Sequence, residues 1–230
     1  MLLNKKNVLV LDGSDGIGAA ITALFCAEGA TVISAALSGT DVESAFEQAH
    51  AAIGGIDILV NAVSDWGVCE PEAWTVTEWR ELSERNGAVA VNAGQIALKG
   101  LRRPGAVCFI SSTWAMATSP EMGLTGASKA AIGPLTKALA LAGAANGLRA
   151  NAVVMGLIDT PALRAVVERR AEVAGHQAGV PLFDETAMRV PMRRAGTAQE
   201  VAKVVAFLCS DHARMINGAS VLVDGGLLYA

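Results

Sequence analysis

The side chains best suited to chemistry lie between Ile110 and Lys129, in the stretch ISSTWAMATSPEMGLTGASK. It passes from Ser111 and Ser112 through a loop holding Pro120 and Gly123 into a small-residue segment with Thr125 and Lys129. Hydroxyls set beside an amine are the parts of a proton-transfer site, whose donor needs a pKa near the working pH. A threonine hydroxyl is an alkanol, too weak an acid for that task. A second group precedes it. The apolar run at 7–11 leads into DGSDGIG and then an Ala/Leu/Phe-rich helical pattern, so Gly16 and Gly18 fall between a strand and a helix. Such a turn binds phosphate because free N–H groups and the helix dipole favour negative charge. Asp12 and Asp15 oppose it by competing for those donors, and Asp15 is better read as a helix cap.

The elements that hold these groups follow from periodicity. Strand, glycine turn, helix to Glu28, Gly29 and a strand at 30–35 make a βαβ unit of the dinucleotide-binding kind. The second strand ends in Ser34, Ala35, Ala36 and Leu37, with no acid for a ribose and no arginine for a 2'-phosphate. Only 21 residues, 36–56, separate Ala35 from Asp57, room for one helix at 41–53 capped by Thr40 or Asp41. Further strands are expected at 56–60, 106–110, 149–154 and 219–223, with helices at 79–101, 126–145 (interrupted by Pro134) and 197–211. The expected architecture is α/β, a Rossmann-like doubly wound parallel sheet of about six strands in one domain spanning 1–230. Ser112 then stands at a strand's carboxyl end, the edge where open parallel sheets take ligands.

Composition narrows the function classes. With 17% charged residues and net charge -4, no basic face is available for a nucleic-acid backbone. Two lysines precede an apolar run of only four residues, too short for a signal core or membrane span, so a cytoplasmic protein without membrane contact is expected. Cys26, Cys69, Cys108 and Cys209 lack paired spacing, and Cys26, Cys108 and Cys209 read as reduced core thiols; neither disulfide nor metal is expected. Ala88, Ala90, Ala93, Gly94 and Ala97 form a small-residue face open to close approach by another helix. Trp66 and Trp74 read as packing anchors. Arg164, Arg169, Arg170, Arg189, Arg193 and Arg194 lie in the polar section 162–195; they suit either a carboxylate or coenzyme A phosphates, or a solvated face paired with Glu168, Glu172 and Glu185.

In this order the segments resemble the short-chain dehydrogenase/reductase family across nearly the whole chain. The family's active-site Ser falls on Ser112 and its Tyr-x-x-x-Lys on Thr125 to Lys129, so the tyrosine is replaced. Its Thr-Gly-x-x-x-Gly-x-Gly, aligned through Gly16 and Gly18, places Leu11 at the threonine and Asp12 at the first glycine. NAVS at 61–64 stands for Asn-Asn-Ala-Gly: Asn61 survives and Ser64 narrows the space. Asn86 matches the family's water-holding asparagine, and NAVVMGLIDTP keeps Thr160, which in the family contacts the nicotinamide carboxamide, while Met155 replaces a proline. The family fits helix, strand and helix where 36–56 holds one helix, so a helix-strand unit of the adenine wall is expected to be deleted after the second strand.

The resemblance therefore implies an NAD or NADP oxidoreductase fold whose proton donor, pyrophosphate turn and ribose anchor are all altered. The expected role is a non-catalytic, cofactor-deficient subunit. It resembles the inactive partner of a heteromeric dehydrogenase, such as the hydroxyacyl-coenzyme A dehydrogenases of benzylsuccinate-type aromatic degradation. Asn86, Ser112, Thr125 and Lys129 are then a vestigial catalytic set, and Gly16, Gly18, Asn61 and Thr160 cofactor-site remnants. The implied partner is an active paralogue holding NAD or NADP, in a heterotetramer; otherwise the chain forms a homo-oligomer. The contacts would run through helices 79–101 with 126–145, and helix 197–211 with the last strand. The alternative is an active NAD(P)-dependent oxidoreductase using Ser112 and Lys129 with a substitute acid, Glu121 or Asp65.

Overall fold

A computed structural model describes residues 1–14, 16–37, 41–175 and 182–229. Short apolar runs become the strands β1 (Asn7–Leu11), β2 (Thr31–Ala35), β3 (Ile58–Asn61), β4 (Gly105–Ser112) and β5 (Leu148–Met155). Two-residue strands β6 (Ile158–Asp159) and β7 (Gly196–Thr197) pair with each other, and β8 (Ser220–Val223) closes the main sheet. That sheet is six-stranded and wholly parallel in the order β2-β1-β3-β4-β5-β8. Its central strands are buried on both faces, as continuous apolar runs require. Between β2 and β3 the described residues hold one helix, α2 (Val42–Ile53), which Asp41 caps by accepting from the Ser44 N–H at 2.9 Å. The sheet accordingly ends at β2 on that side.

Helices cover both faces. On one, α1 (Gly16–Ala27) packs against α9 (Ala198–Cys209), which begins in a capping box of Thr197 and Glu200. On the other, α2 is joined by α4 (Val89–Gly100) and α6 (Ile132–Gly143). The helix expected over 79–101 is divided in three: α3 (Val76–Leu82), a π turn at Ser83–Ala88, and α4. The helix expected over 126–145 is broken too, into α5 (Gly123–Ala130) and α6, with Pro134 in the first turn of α6 where its missing N–H costs nothing. The polar section forms α7 (Pro161–Val173) and α8 (Leu182–Arg189).

Two expectations about packing are corrected. Ala90, Ala93 and Ala97 are wholly buried within the chain, and a Cβ on Gly94 would lie 2.5 Å from Leu139 of α6. The small-residue face of α4 is thus already filled by the chain's own core. Cys26 is exposed on α1, whereas Cys108 and Cys209 are buried. Among the described residues no group of His, Cys, Asp and Glu is placed to hold a metal, and no helix is long and apolar enough to cross a membrane.

Candidate active site

β1, β3, β4 and β5 end side by side, and the loops at their carboxyl ends carry the candidate residues. Three of the four residues expected as a vestigial set converge on one segment, residues 63–67 after β3. Asn86, buried in the π turn, accepts from the Asp65 N–H at 2.9 Å. Its amide donates to the Asp65 carbonyl at 3.0 Å and to Ser128 at 2.9 Å. A π turn inserts one residue into the helical repeat and turns a side chain toward a new face, which accounts for this reach. Thr125, fully buried, donates to the Gly67 carbonyl at 2.9 Å and accepts from the Gly67 N–H at 2.8 Å. Lys129 is 1% exposed and donates to the Val63 carbonyl at 3.0 Å.

The Lys129 ammonium also lies 5.8 Å from the centre of the Trp66 ring, and Trp66 meets Trp114 edge-to-face at 5.5 Å. Burial pushes the Lys129 pKa down to about 7, against the opposing pull of the Asp65 and Asp12 carboxylates. Ser112 stands apart from this cluster. It accepts from the Trp114 N–H at 3.2 Å and lines an outer cavity of about 330 Å³ together with Trp66, Leu163 and Arg170. Trp66 is shared between that cavity and an inner cleft of only about 80 Å³. Leu163 lines both spaces too, so the indole and this leucine lie between them, a position that neither one's neighbours in sequence announce.

The inner cleft collects three of the four residues expected as cofactor-site remnants, Gly16, Gly18 and Thr160. Asp12, Gly16, Gly18, Ser64 and Thr160 line it. Asp12 has φ +61°, in the left-handed region where glycine is at ease and aspartate is among the tolerated substitutes. Gly18 is required by close approach, because a Cβ there would lie 2.1 Å from the Asp12 carbonyl oxygen. Asn61 turns inward and accepts from the Val63 N–H at 3.1 Å, and the buried Ser64 hydroxyl has no partner among the described residues. Thr160 caps α7 by accepting from the Leu163 N–H at 3.2 Å. The expected cap at Asp15, like Thr40, lies outside the described residues.

The candidate substitute acids are held elsewhere. Asp65 faces Arg85 at 3.7 Å, and Glu121 pairs with Arg170 at 3.3 Å; neither lines the cavity or the cleft. Most of the arginine set is engaged by acids: Arg164 with Asp159 and Asp184, Arg169 with Glu172, and Arg194 with Glu200. Of the three glutamates expected as partners, Glu172 is seen in an ion pair.

Comparison with known proteins places the arrangement. The family described as enoyl-(acyl carrier protein) reductase matches residues 36–228. The 3-oxoacyl-(acyl-carrier-protein) reductase of Thermotoga maritima is 29% identical over 99% of this chain and 100% of its own length. The acetoacetyl-CoA reductase of Rhizobium meliloti is 30% identical over 96% of this chain and 98% of its own. Among solved structures, a short chain dehydrogenase from Burkholderia cenocepacia in complex with NADP is 27% identical and covers 100% of both chains with a TM-score of 0.86.

Proposed function

The chain belongs to the short-chain dehydrogenase/reductase family, and from that premise we propose that it is a non-catalytic member supporting an active paralogue. The observation that carries this reading is the closure of the active-site set on residues 63–67. The Thr125 hydroxyl both donates to and accepts from Gly67, and the Lys129 ammonium is spent on the Val63 carbonyl beneath Trp66. Neither group reaches open space in which a substrate oxygen and a nicotinamide would meet.

A dinucleotide does not fit the residues present. The inner cleft, at about 80 Å³, is far below the roughly 300 Å³ at which ligand pockets begin. The Asp12 carboxylate on its wall repels phosphate. The edge strand β2 ends without an acid for the ribose. The proposed partner is a paralogue with an intact Tyr-x-x-x-Lys, carrying NAD or NADP, in a heterotetramer. Relatives named for acetoacetyl-CoA and 3-oxoacyl thioester reduction support a hydroxyacyl thioester as that partner's substrate class, with the benzylsuccinate-type enzymes as one instance.

One observation favours the rival reading, an active oxidoreductase using Ser112 and Lys129 with another acid: the relatives are named for the reactions they catalyse. Calorimetric titration of the isolated chain with NADH and NADPH separates the two. No binding is expected up to high micromolar nucleotide, and micromolar affinity for either would overturn the non-catalytic reading.

A further inference from the structure

The outer cavity survives although the inner cleft is nearly closed. Its volume, about 330 Å³, is within the range of small-molecule sites. Trp66, Trp114, Leu163 and Val167 give it apolar walls, five serines and threonines line it as well, and among the described residues Arg170 is the one charged residue on its lining. Arg170 extends from α7, and its Nε is held by the Glu121 carboxylate at 3.3 Å. That contact engages the guanidinium from its Nε side, and neither terminal nitrogen has an ion-pair or hydrogen-bond partner among the described residues. A guanidinium with both terminal nitrogens turned to no other partner, at the edge of a mainly apolar chamber, is an arrangement that takes a carboxylate bidentately. The chamber, bounded by two indoles, aliphatic side chains and a minority of serines and threonines, suits a single ring or a short alkyl body.

We propose that this cavity binds a small apolar carboxylic acid as a non-reacting ligand, with its carboxylate on Arg170 and its hydrocarbon body between Trp114 and the aliphatic wall. The proposal rests on the non-catalytic reading only for the absence of turnover; the binding itself does not depend on it. Arg170 is a binding residue here, and Glu121 is a positioning residue acting through it.

The test uses the whole chain and two isosteric probes, cyclohexanecarboxylate and cyclohexanecarboxamide. Titration is followed by calorimetry and by tryptophan emission, since two of the four tryptophans line the cavity. Saturable binding of the acid with a change in emission is expected, and binding of the amide weaker by about tenfold or more, the usual worth of a charge-assisted pair. Arg170→Gln is expected to weaken the acid by a similar factor while retaining a polar partner for Glu121. Ala117→Phe fills the exposed mouth of the cavity without touching the core and is expected to abolish binding. The assignment fails if the acid does not saturate, if acid and amide bind alike, or if both folded variants bind as the parent does. Nicotinamide absorbance with NAD(P)+ or NAD(P)H present is recorded alongside. Redox turnover there would overturn the non-catalytic reading and leave the cavity assignment standing, whereas absent binding does the reverse.

Discussion

At Lys129 burial and charge act against each other. The ammonium keeps one hydrogen bond, to Val63, and the Trp66 face, but has almost no water. A folded pKa of about 7 against 10.5 means that, between those values, the unfolded chain holds a proton the folded chain lacks. Stability therefore rises with pH across that window, and the full penalty is present below about 7. Replacing Lys129 with Met is expected to flatten this rise, so that the mutant gains on the parent by a few kcal/mol as the pH is lowered from 10 to 7. Urea unfolding of both proteins at several pH values measures it, and parallel curves would show that Lys129 is not desolvated in this way. Thr125 behaves differently, as a satisfied buried hydroxyl. Thr125→Tyr is expected to yield no dehydrogenase activity with NADH or NADPH, because the phenol has no room behind Gly67 and the inner cleft is unchanged. It is also expected to cost about 1–3 kcal/mol through overpacking. Turnover of an acetoacetyl thioester by the single mutant would show that only the acid had been lost.

Among the elements, the segment after β3 is the hinge of the site. The π turn and α5 hold it: Asn86 pins Asp65, Thr125 pins Gly67, and Lys129 pins Val63. Its indole lies, with Leu163, between the cavity and the cleft, and beside the Lys129 ammonium. Trp66→Ala is expected to join the two spaces and open Lys129 to solvent. Labelling of amines followed by peptide mass spectrometry reads this directly: Lys129 unmodified in the parent, modified in the variant at the rate of a surface lysine. Equal protection in both would mean that α5 and the π turn, not the tryptophan, close the site.

For the whole molecule, the surfaces left by the fold bear on assembly. The small residues of α4 face inward, so any partner must rest on the opposite faces, where Val91 is 43% and Leu141 83% exposed. The second proposed surface carries Phe207 of α9 and, beyond it, Met215 and Tyr229, all exposed. Burying several such side chains would contribute about 1.5–3 kcal/mol each. Leu141→Asp is expected to leave the thermal unfolding midpoint within a few degrees of the parent and to reduce the oligomer, with itself or with a co-expressed paralogue. Size-exclusion chromatography with light scattering decides, and a parent that runs as a monomer at high micromolar concentration would remove the scaffold reading.

Strand identity, the six-stranded parallel sheet and the family were legible in the sequence. Apolar run length, glycine placement and capping residues are local signals, and several of them in family order leave little freedom of topology. The departures at Asp12 and Thr125 were equally legible, being matters of residue type. What the sequence left open was direction: which way each side chain turns, and what meets it there. Ala93 reads as an assembly residue until α6 is seen packed beside it. Trp66 reads as an anchor until the ring is found over Lys129 and between two cavities. The partner of Arg170, Glu121, lies 49 positions away in sequence. Contacts of that separation are fixed by how α5, α7 and the loops after β3 and β4 pack on the sheet. Packing is a property of all their side chains together, which no local spacing encodes.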